Sequence, residues 1–242
     1  MIITKTELAT FPDLDHAAGS IILVDKPKGW TSFDVVAKVR RMMSRYYKVK
    51  RFKVGHTGTL DPLATGLLIL CIGRATKRIV EFMDQEKEYK GTITFGQSTA
   101  SYDLETEVVD TFPTAHLTEE IVTEATKAFT GDFMQLPPVF SAKQVDGKRA
   151  YESAREGKEV KVSPAMVNVS QFELTAFRWP EVDFLVRCSK GTYIRSLAHD
   201  LGKAVDSGAH LSALRRTASG EFRVQEAVTV EEIRSVLPLD RT

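Results

Sequence analysis

The sequence predicts an α+β fold, and three observations support this prediction. The chain has 242 residues, of which 43% are hydrophobic and 27% are charged, so it can bury the core of one large domain or two small ones. Strand-like and helix-like segments follow one another without an internal repeat or a low-complexity linker. Hairpin-like strand pairs are mixed with the helices, which favours an α+β arrangement over a regular βαβ repeat.

The first predicted elements are a strand and a long amphipathic helix. The segment SIILVDKPKG (20–29) predicts a strand that ends in a Pro-Gly turn. The segment TSFDVVAKVRRMMSRYY (31–47) predicts a helix capped by Thr31 or Ser32. Its apolar residues recur at helical spacing and predict a buried face, formed by Val35, Val36, Val39, Met42 and Met43.

The remaining elements follow from apolar periodicity and from turn residues. Strands are predicted within 67–73, 88–96, 106–112 and 183–188, and helices within 75–83, near 118–129 and after a Gly-Thr turn at 191–192. The segment PPVFSAKQVDGKRAYESARE (137–156) predicts a strand, an Asp-Gly turn and a helix. The final predicted helix, TVEEIRSVL, opens with a capping box formed by Thr229 and Glu232.

The sequence lacks the features of membrane, secreted and metal-binding proteins. Its apolar stretches are far shorter than the ~20 residues of a membrane span, and its N-terminus does not resemble a signal peptide. The two cysteines, Cys71 and Cys188, lie in apolar runs typical of buried, reduced thiols. The five histidines are scattered singly. We therefore expect a cytoplasmic protein without a metal.

Basic residues are distributed unevenly along the chain. The net charge is +1, yet there is no acidic residue between Asp34 and Asp61, where eight Lys and Arg residues occur. A charge run is compatible with a solvated helix face, but two tyrosines inside this run favour nucleic-acid binding by phosphate neutralisation and base stacking. The eight residues, here called the basic run, are Lys38, Arg40, Arg41, Arg45, Lys48, Lys50, Arg51 and Lys53. A second basic group comprises Arg187, Lys190, Arg195, Lys203, Arg215 and Arg216.

A single carboxylate, Asp61, lies on a Gly- and Thr-rich turn, VGHTGTLDPLATGLLIL (54–70), between the basic helix and a buried strand. The sequence contains no Walker A, GxSxG, dinucleotide or HExxH motif, and the GxxG match in GHTG is weak evidence for a KH domain. A lone Asp on a turn usually serves as a turn or cap residue. The alternative is a reactive group that acts on a base turned out of its stack.

Five blocks of the sequence carry a family resemblance. GHTGTLDPLATGLL resembles the signature of the TruB/dyskerin family of pseudouridine synthases, and the match extends to that family's bacterial tRNA pseudouridine-55 synthases. LVDKPKGWTSFDVV is similar to the family's Lys-Pro motif, and EKEYKGTITFG to its tyrosine-bearing strand. The further blocks are GDFMQLPPVFSAKQVDGKRAYESAREG and RCSKGTYIRSLAHDLG, followed by GAHLSALRRTASGEF. The resemblance covers about residues 20–237.

The resemblance implies a pseudouridine synthase fold with a central, largely antiparallel mixed sheet, flanking helices and an active-site cleft. It also implies a reaction without metal or cofactor, in which uridine in the T-arm stem-loop of tRNA is isomerised to pseudouridine. Asp61 matches the nucleophile, Tyr89 the tyrosine that packs on the target ring, and Arg195 the arginine paired with the catalytic carboxylate. An ionised Asp61 near a base would require such a permanently charged partner.

Other residues match positions that bind the substrate. His56 matches a histidine that helps to hold the RNA loop with its target uridine turned out, and Tyr193 and Leu214 match further residues of the pocket. Plain structural roles stay open for these three. Lys26 and Pro27 match a motif that supports the active-site loop.

The basic run predicts contacts with the RNA backbone, and we expect them from Arg45, Lys48 and Arg51.

The resemblance divides the chain into an N-terminal extension (1–19) and a catalytic domain (20–242) without the PUA domain that many relatives carry. We expect tRNA as the partner, with no membrane and no obligate protein partner.

One segment departs from the family pattern. STASYDLETEVV lacks the Gly that relatives place in the turn after the aspartate matching Asp103, so we assign this region no catalytic role.

Two other functions stay open: a non-catalytic RNA chaperone or binding module, and a base glycosylase that cleaves the bond to the base without rejoining it. Chaperoning could also accompany catalysis.

Overall fold

The structure is a computed structural model, and it describes residues 1–13, 15, 18–140, 144–145, 148–149 and 162–237. It contains two compact units. Unit 1 comprises Met1–Glu88 and Arg215–Thr242, and unit 2 comprises Tyr89–Leu214. The chain passes from unit 1 to unit 2 within strand β5 (Lys87–Phe95) and returns within strand β13 (Ala209–Ser219).

Unit 1 is organised around the buried strand β4 (Thr65–Ile72). Strand β2 (Ser20–Lys26) pairs with it antiparallel along its length, with Lys26 opposite Gly66. Strand β3 (Val54–His56) also pairs with β4 antiparallel, and β13 pairs with it in parallel at Arg215 and Arg216. The remaining strands of unit 1 are β1 (Ile2–Ile3), parallel to β2, and β14 (Phe222–Arg223), antiparallel to β13.

Three α-helices cover the strands of unit 1. They are α1 (Ser32–Tyr46), α2 (Ile79–Met83) and a C-terminal helix Val230–Val236, which we number α5 in chain order. Alternate residues of β2 and β4 join two different apolar clusters, because successive strand side chains point to opposite faces. One cluster includes α1 and α5, and the other includes Phe82 of α2. Ile3 and Phe11 are fully buried in the first cluster.

In unit 2, four strands lie side by side in the order β5, β12 (Glu181–Cys188), β11 (Ala165–Arg178) and β8 (Gly131–Gln135). The β11 pairs with β12 and with β8 are antiparallel. The unit also contains the antiparallel pair β6 (Gln97–Thr99) and β7 (Val108–Thr111). Among the described residues of this unit, two α-helices, α3 (Glu119–Thr126) and α4 (Ile194–Ala204), pack against the apolar core.

The structure confirms the predicted α+β class and a largely antiparallel mixed sheet. It confirms the Thr31 cap, the buried face of α1 and the Thr229–Glu232 capping box. The helix predicted within 75–83 is α-helical only from Ile79, and a 3₁₀ turn precedes it. There, the Thr76 hydroxyl donates to the Gly73 carbonyl, and this competes with the α-helical bonding pattern.

The segment 137–156 is described only in part. Strands β9 (Gln144–Val145) and β10 (Lys148–Arg149) pair antiparallel. The strand predicted before the Asp-Gly turn is present as β9, whereas β10 is a second strand after the turn that was not predicted. The turn at 146–147 and residues 150–156, where the helix was predicted, lie outside the described residues. None of the described helices is long and apolar enough to cross a membrane.

Candidate active site

In unit 1, Asp61 lies half-buried on the turn that connects β3 to β4. The Ala64 amide donates to the Asp61 carbonyl over 3.1 Å and closes the turn. Gly66 follows with φ +103°, and a Cβ at this position would lie 2.3 Å from the Arg216 carbonyl oxygen. Only glycine allows β4 to approach β13 this closely. Gly66 therefore fixes the point at which the start of β4 meets β13.

The start of helix α1 fastens the same turn. The Leu60 amide donates to the Ser32 hydroxyl over 2.8 Å, and that hydroxyl donates to the Leu60 carbonyl over 3.2 Å. Both residues are buried. Because Leu60 directly precedes Asp61, these contacts restrict the backbone that carries the carboxylate.

A fully buried lysine, Lys26, braces the turn from the end of β2. Its ammonium group donates to the carbonyls of Trp30 (2.6 Å), Pro27 (3.0 Å) and Pro62 (3.3 Å). Burial lowers the pKa of Lys26 to about 8, although the attraction of Asp61 acts in the opposite direction. The predicted supporting role of Lys26 therefore has a physical basis in these three hydrogen bonds.

A second buried cation lies beneath the turn. Arg216, on β13, is 3% exposed, and its guanidinium donates to the carbonyls of Leu67 (2.7 Å) and Gly58 (3.1 Å). Its positive charge lowers the pKa of Lys26 and of His56. Two buried cations thus donate hydrogen bonds to backbone carbonyls of the turn that presents Asp61.

His56 is held as a neutral imidazole. Burial lowers its pKa, and Arg216 lowers it further. The Gly58 amide donates to Nδ1 over 3.3 Å, so Nδ1 acts as an acceptor and Nε2 carries the proton. His56 can therefore offer one N–H donor to a ligand at neutral pH.

The tertiary structure adds an ion pair that the sequence did not indicate. Arg215 donates to both carboxylate oxygens of Asp25, over 3.0 and 2.6 Å, and also to the Thr65 hydroxyl. Arg215 and Arg216 belong to the second basic group, in which the sequence signal was charge alone. In the structure both have internal partners in unit 1.

Replacing Lys26 by Met is expected to destabilise the protein, by about 2 kcal/mol at pH 7, because three partly buried carbonyls lose their donor. The pKa of Lys26 is lower in the folded protein (about 8) than its ordinary value of 10.5. The unfolded chain therefore holds more protons between these values, and the contribution of Lys26 to stability rises with pH. Urea titrations at pH 7 and pH 10 are expected to show a larger loss at pH 10.

The exposed Lys28 provides the control for this prediction, since Lys28→Met removes the same charge from the same segment. We expect Lys28→Met to have little effect on the urea midpoint at either pH. A loss in Lys26→Met that stays constant or shrinks toward pH 10 would contradict the argument.

In unit 2, Arg195 lies in the first turn of α4 and is 4% exposed. Its guanidinium donates to the carbonyls of Ser101 and Phe140, each over 2.9 Å. Its Nε lies 3.6 Å from an oxygen of Asp103, which forms a buried ion pair. The expected pairing of Arg195 with Asp61 stays a prediction.

Asp103 is the functional candidate that sequence reasoning passed over. It is buried, and its second carboxylate oxygen accepts hydrogen bonds from the Ser101 hydroxyl (2.6 Å) and the Glu105 amide (2.9 Å). The signal for this arrangement was the Ser-x-Asp-x-Glu spacing, which is typical of a local Asp turn. The segment was predicted to have no catalytic role because it departs from the family pattern.

The other predicted pocket residues of unit 2 have defined supports. Tyr89 on β5 and Leu214 on β13 are half-buried and pack against the same apolar core. The Gln135 side chain forms two hydrogen bonds with the Tyr193 backbone. The Gln135 amide oxygen accepts from the Tyr193 N–H over 2.8 Å, and the Gln135 amide nitrogen donates to the Tyr193 carbonyl over 3.0 Å. These contacts fix Tyr193 at the N-terminus of α4.

The six predicted catalytic and substrate-binding residues thus fall into two groups, with Asp61 and His56 in unit 1 and the other four in unit 2. Arg45, Lys48 and Arg51 are all exposed, so their charges are available to a ligand. Within the described part of the chain, no three His, Cys, Asp or Glu residues are grouped so that they could hold a metal ion.

Comparison with protein families gives two adjoining matches. Residues 44–194 match the family described as TruB family pseudouridylate synthase (N terminal domain). Residues 195–241 match the family described as tRNA pseudouridylate synthase B C-terminal domain. The first match alone covers more than half of the chain.

Similar curated proteins carry a common name. A tRNA pseudouridine synthase B from Parabacteroides distasonis is 52% identical over 220 residues, which are 91% of this chain and 94% of that protein. A protein of the same name from Flavobacterium johnsoniae is 48% identical, covering 89% of this chain and 95% of its own length. The similarity therefore extends over nearly the whole of each relative.

Solved structures show a related fold. The structure titled "Crystal Structure of a Cbf5-Nop10-Gar1 Complex" matches with a TM-score of 0.67 and 28% identity, covering 91% of this chain and 54% of that chain. The archaeal box H/ACA sRNP Nop10-Cbf5 complex matches with a TM-score of 0.64 and 27% identity, over 92% and 55% of the two chains. This chain spans just over half of the length of those two chains.

Proposed function

Since the chain belongs to the TruB family of pseudouridylate synthases and so makes pseudouridine in tRNA, we propose that its target is uridine 55 of the T-arm loop and that Asp61 is its nucleophile. The observation that carries the assignment of Asp61 is the construction of its turn. Ser32 fixes the neighbouring backbone, and the buried cations Lys26 and Arg216 brace the turn from below. A catalytic group needs such a rigid support.

The reaction that we propose is an isomerisation with a covalent intermediate. A carboxylate oxygen of Asp61 bonds to the ribose C1′ as the bond from C1′ to N1 of uracil breaks, and uracil leaves with the electron pair. The uracil then turns, and its C5 bonds to C1′ as the carboxylate departs. The C5 proton is lost and N1 gains a proton, so no oxidant, reductant or water is consumed.

Tyr89 is proposed to act on the turned-out base. Its ring is held by the apolar core of unit 2, which leaves it half-buried and supported from behind. Stacking of a base on an aromatic ring contributes about 1–3 kcal/mol, which offsets part of the cost of flipping the nucleotide. The phenol oxygen is also proposed as the acceptor of the C5 proton.

Arg195 is proposed to hold the catalytic carboxylate ionised through its permanent charge. Its contacts with Ser101, Phe140 and Asp103 orient the guanidinium within unit 2. His56, Tyr193 and Leu214 are proposed to bind the RNA loop and its target nucleotide. For His56, the neutral imidazole with its proton on Nε2 supports a role as a hydrogen-bond donor to RNA.

A single experiment tests this function. Unmodified tRNA is incubated with the protein, pseudouridine is mapped at single-nucleotide resolution, and a transcript with cytidine at position 55 serves as the control. We expect modification at position 55 alone. Free uracil in the products would indicate a glycosylase, binding without modification would indicate a chaperone or binding module, and modification elsewhere would overturn the assigned position.

The basic run yields a separate prediction about tRNA affinity. Changing Arg45, Lys48 and Arg51 together to Gln is expected to weaken tRNA binding, while the single-turnover rate at saturating enzyme stays near that of the parent. The slope of log K against log salt is negative, and each lost phosphate contact lowers its magnitude by about 0.7–0.9, so three lost contacts flatten it by roughly 2–3. Binding isotherms at several salt concentrations measure this slope.

A matched triple variant controls for the loss of charge. Lys127, Arg178 and Arg234 are exposed and lie outside the basic run, and their change to Gln also removes three positive charges. We expect the control variant to keep the salt slope of the parent. Equal salt slopes for the parent and the basic-run variant would show that these residues face solvent and do not contact RNA phosphates.

A further inference from the structure

We infer that Tyr102 and His199 are positioning residues, whose stacked rings hold Asp103 against Arg195. The inference rests on the proposed catalytic role of Arg195. The two rings are 3.8 Å apart between centroids and 11° from parallel. Both side chains are half-buried in unit 2. Stacking at this distance brings the loop that contains Tyr102 into direct contact with helix α4.

The positions of the four residues make this contact a two-point attachment. Tyr102 and Asp103 are neighbours in the loop. Arg195 and His199 are four positions apart on α4, and side chains at this spacing lie on the same helix face. Asp103 pairs with Arg195 at one point, and Tyr102 stacks on His199 one turn along the helix. The ion pair and the hydrogen bond from Arg195 to the Ser101 carbonyl attach the loop to one residue of α4, and the stack attaches it to a second residue one turn away.

The backbone of Tyr102 indicates that its ring is required. Its φ of +64° lies in the left-handed region, which glycine adopts at lower cost than a residue with a side chain. Two backbone hydrogen bonds hold this conformation: the Tyr102 amide donates to the Thr99 carbonyl over 3.2 Å, and the Leu211 amide donates to the Tyr102 carbonyl over 2.9 Å. Glycine could make both bonds, so the ring is what tyrosine adds here.

The chemistry of the two rings agrees with stacking rather than ion pairing. Burial lowers the pKa of His199, and Lys203 lowers it further. Burial raises the pKa of Tyr102, and Asp200 raises it further. Both rings are therefore uncharged at neutral pH, and their contact is made by the ring faces. A phenylalanine at either position would preserve it.

The experiment compares ring removal with ring replacement. Tyr102→Ala and His199→Ala are expected to lower the single-turnover rate of pseudouridine formation about 10- to 100-fold, because a small displacement of a catalytic group has effects of this size. Tyr102→Phe and His199→Phe are expected to stay within about threefold of the parent, since aromatic stacking survives. The dissociation constant for tRNA is expected to change less than about threefold in all four variants, because the rings act on Arg195 and not on RNA affinity.

Two further variants keep the inference testable. If Tyr102→Ala does not fold, Tyr102→Gly replaces it, because glycine adopts the left-handed backbone without strain and still lacks the ring. Phe133→Leu is the matched control: Phe133 is a half-buried aromatic residue of unit 2 whose ring makes an edge contact with that of Phe129 and takes no part in the stack of Tyr102 on His199. It is expected to lose stability but to keep its single-turnover rate.

A spectroscopic measurement separates this inference from the proposed function. The His199 ring protons should show an upfield NMR shift from the Tyr102 ring current, and this shift should vanish in Tyr102→Gly. Parental rates in Ala variants that fold, or Phe variants as slow as the Ala variants, would overturn the inference. If the shift is present but Arg195→Ala keeps the parental rate, the proposed role of Arg195 fails and the inferred positioning role fails with it, although the stack itself stands.

Discussion

Asp61→Asn is expected to abolish pseudouridine formation while tRNA binding stays within a few-fold of the parent. Asn has nearly the same shape as Asp but carries no negative charge, and a neutral amide cannot replace a carboxylate as nucleophile. Loss of an essential nucleophile lowers turnover by about 10⁴-fold or more. The turn itself should persist, since its closing bond uses the Asp61 carbonyl and its attachment to α1 uses Leu60.

The measurement is a single-turnover assay at saturating enzyme, together with a tRNA binding isotherm. Asp61→Ala is assayed in parallel, because slow deamidation of Asn would restore a carboxylate but Ala cannot revert in this way. Asp84→Asn serves as the control, since Asp84 is an exposed carboxylate of the same unit. Substantial turnover by Asp61→Ala would remove Asp61 from the mechanism.

Tyr89→Phe is expected to bind tRNA normally but to react orders of magnitude more slowly than the parent. The substitution keeps the ring and its contact with the apolar core of unit 2, so stacking on the base should survive. It deletes the phenol, which we propose as the acceptor of the C5 proton. Proton transfer by a positioned side chain contributes about 10²- to 10⁴-fold, and the loss should lie in this range.

Tyr89→Leu separates the ring from the phenol, because it removes both. It is expected to react as slowly as Tyr89→Phe and also to bind tRNA more weakly. Thr94→Val is the control on the same strand: it removes a hydroxyl that donates to Ser212 over 2.9 Å, and its rate should match the parent. A near-parental rate for Tyr89→Phe would leave Tyr89 with a stacking role only.

Local sequence determined the elements that depend on periodicity and capping. Helix α1 begins where Thr31 and Asp34 exchange hydrogen bonds, and its apolar residues face the core as their spacing predicts. Helix α5 begins with the same exchange between Thr229 and Glu232. These features depend on residues three or four positions apart, so they can be predicted from local sequence without information about distant contacts. The position of Asp61 on a glycine-containing turn was evident for the same reason.

The surroundings of the candidate site depended on the tertiary structure. Arg195 and Arg216 were grouped in the sequence by charge alone, and only Arg195 was also matched to a functional arginine. The structure shows that both are buried, whereas most Lys and Arg residues are exposed. Each is buried because carbonyl groups far away in sequence accept its hydrogen bonds, as Gly58 does for Arg216 and Ser101 does for Arg195.

Asp103 shows most clearly that local sequence does not predict which distant residues meet. Its segment looked unsuited to function because it departs from the family pattern, and only the folded chain brings it to Arg195, 92 positions later. The register of the strands and the packing of α4 decide which such pairs meet, and neither is written in the spacing of nearby residues. A buried charge is stable only where its partners are supplied, so the tertiary structure decides which cations of this chain support the site and which stay exposed.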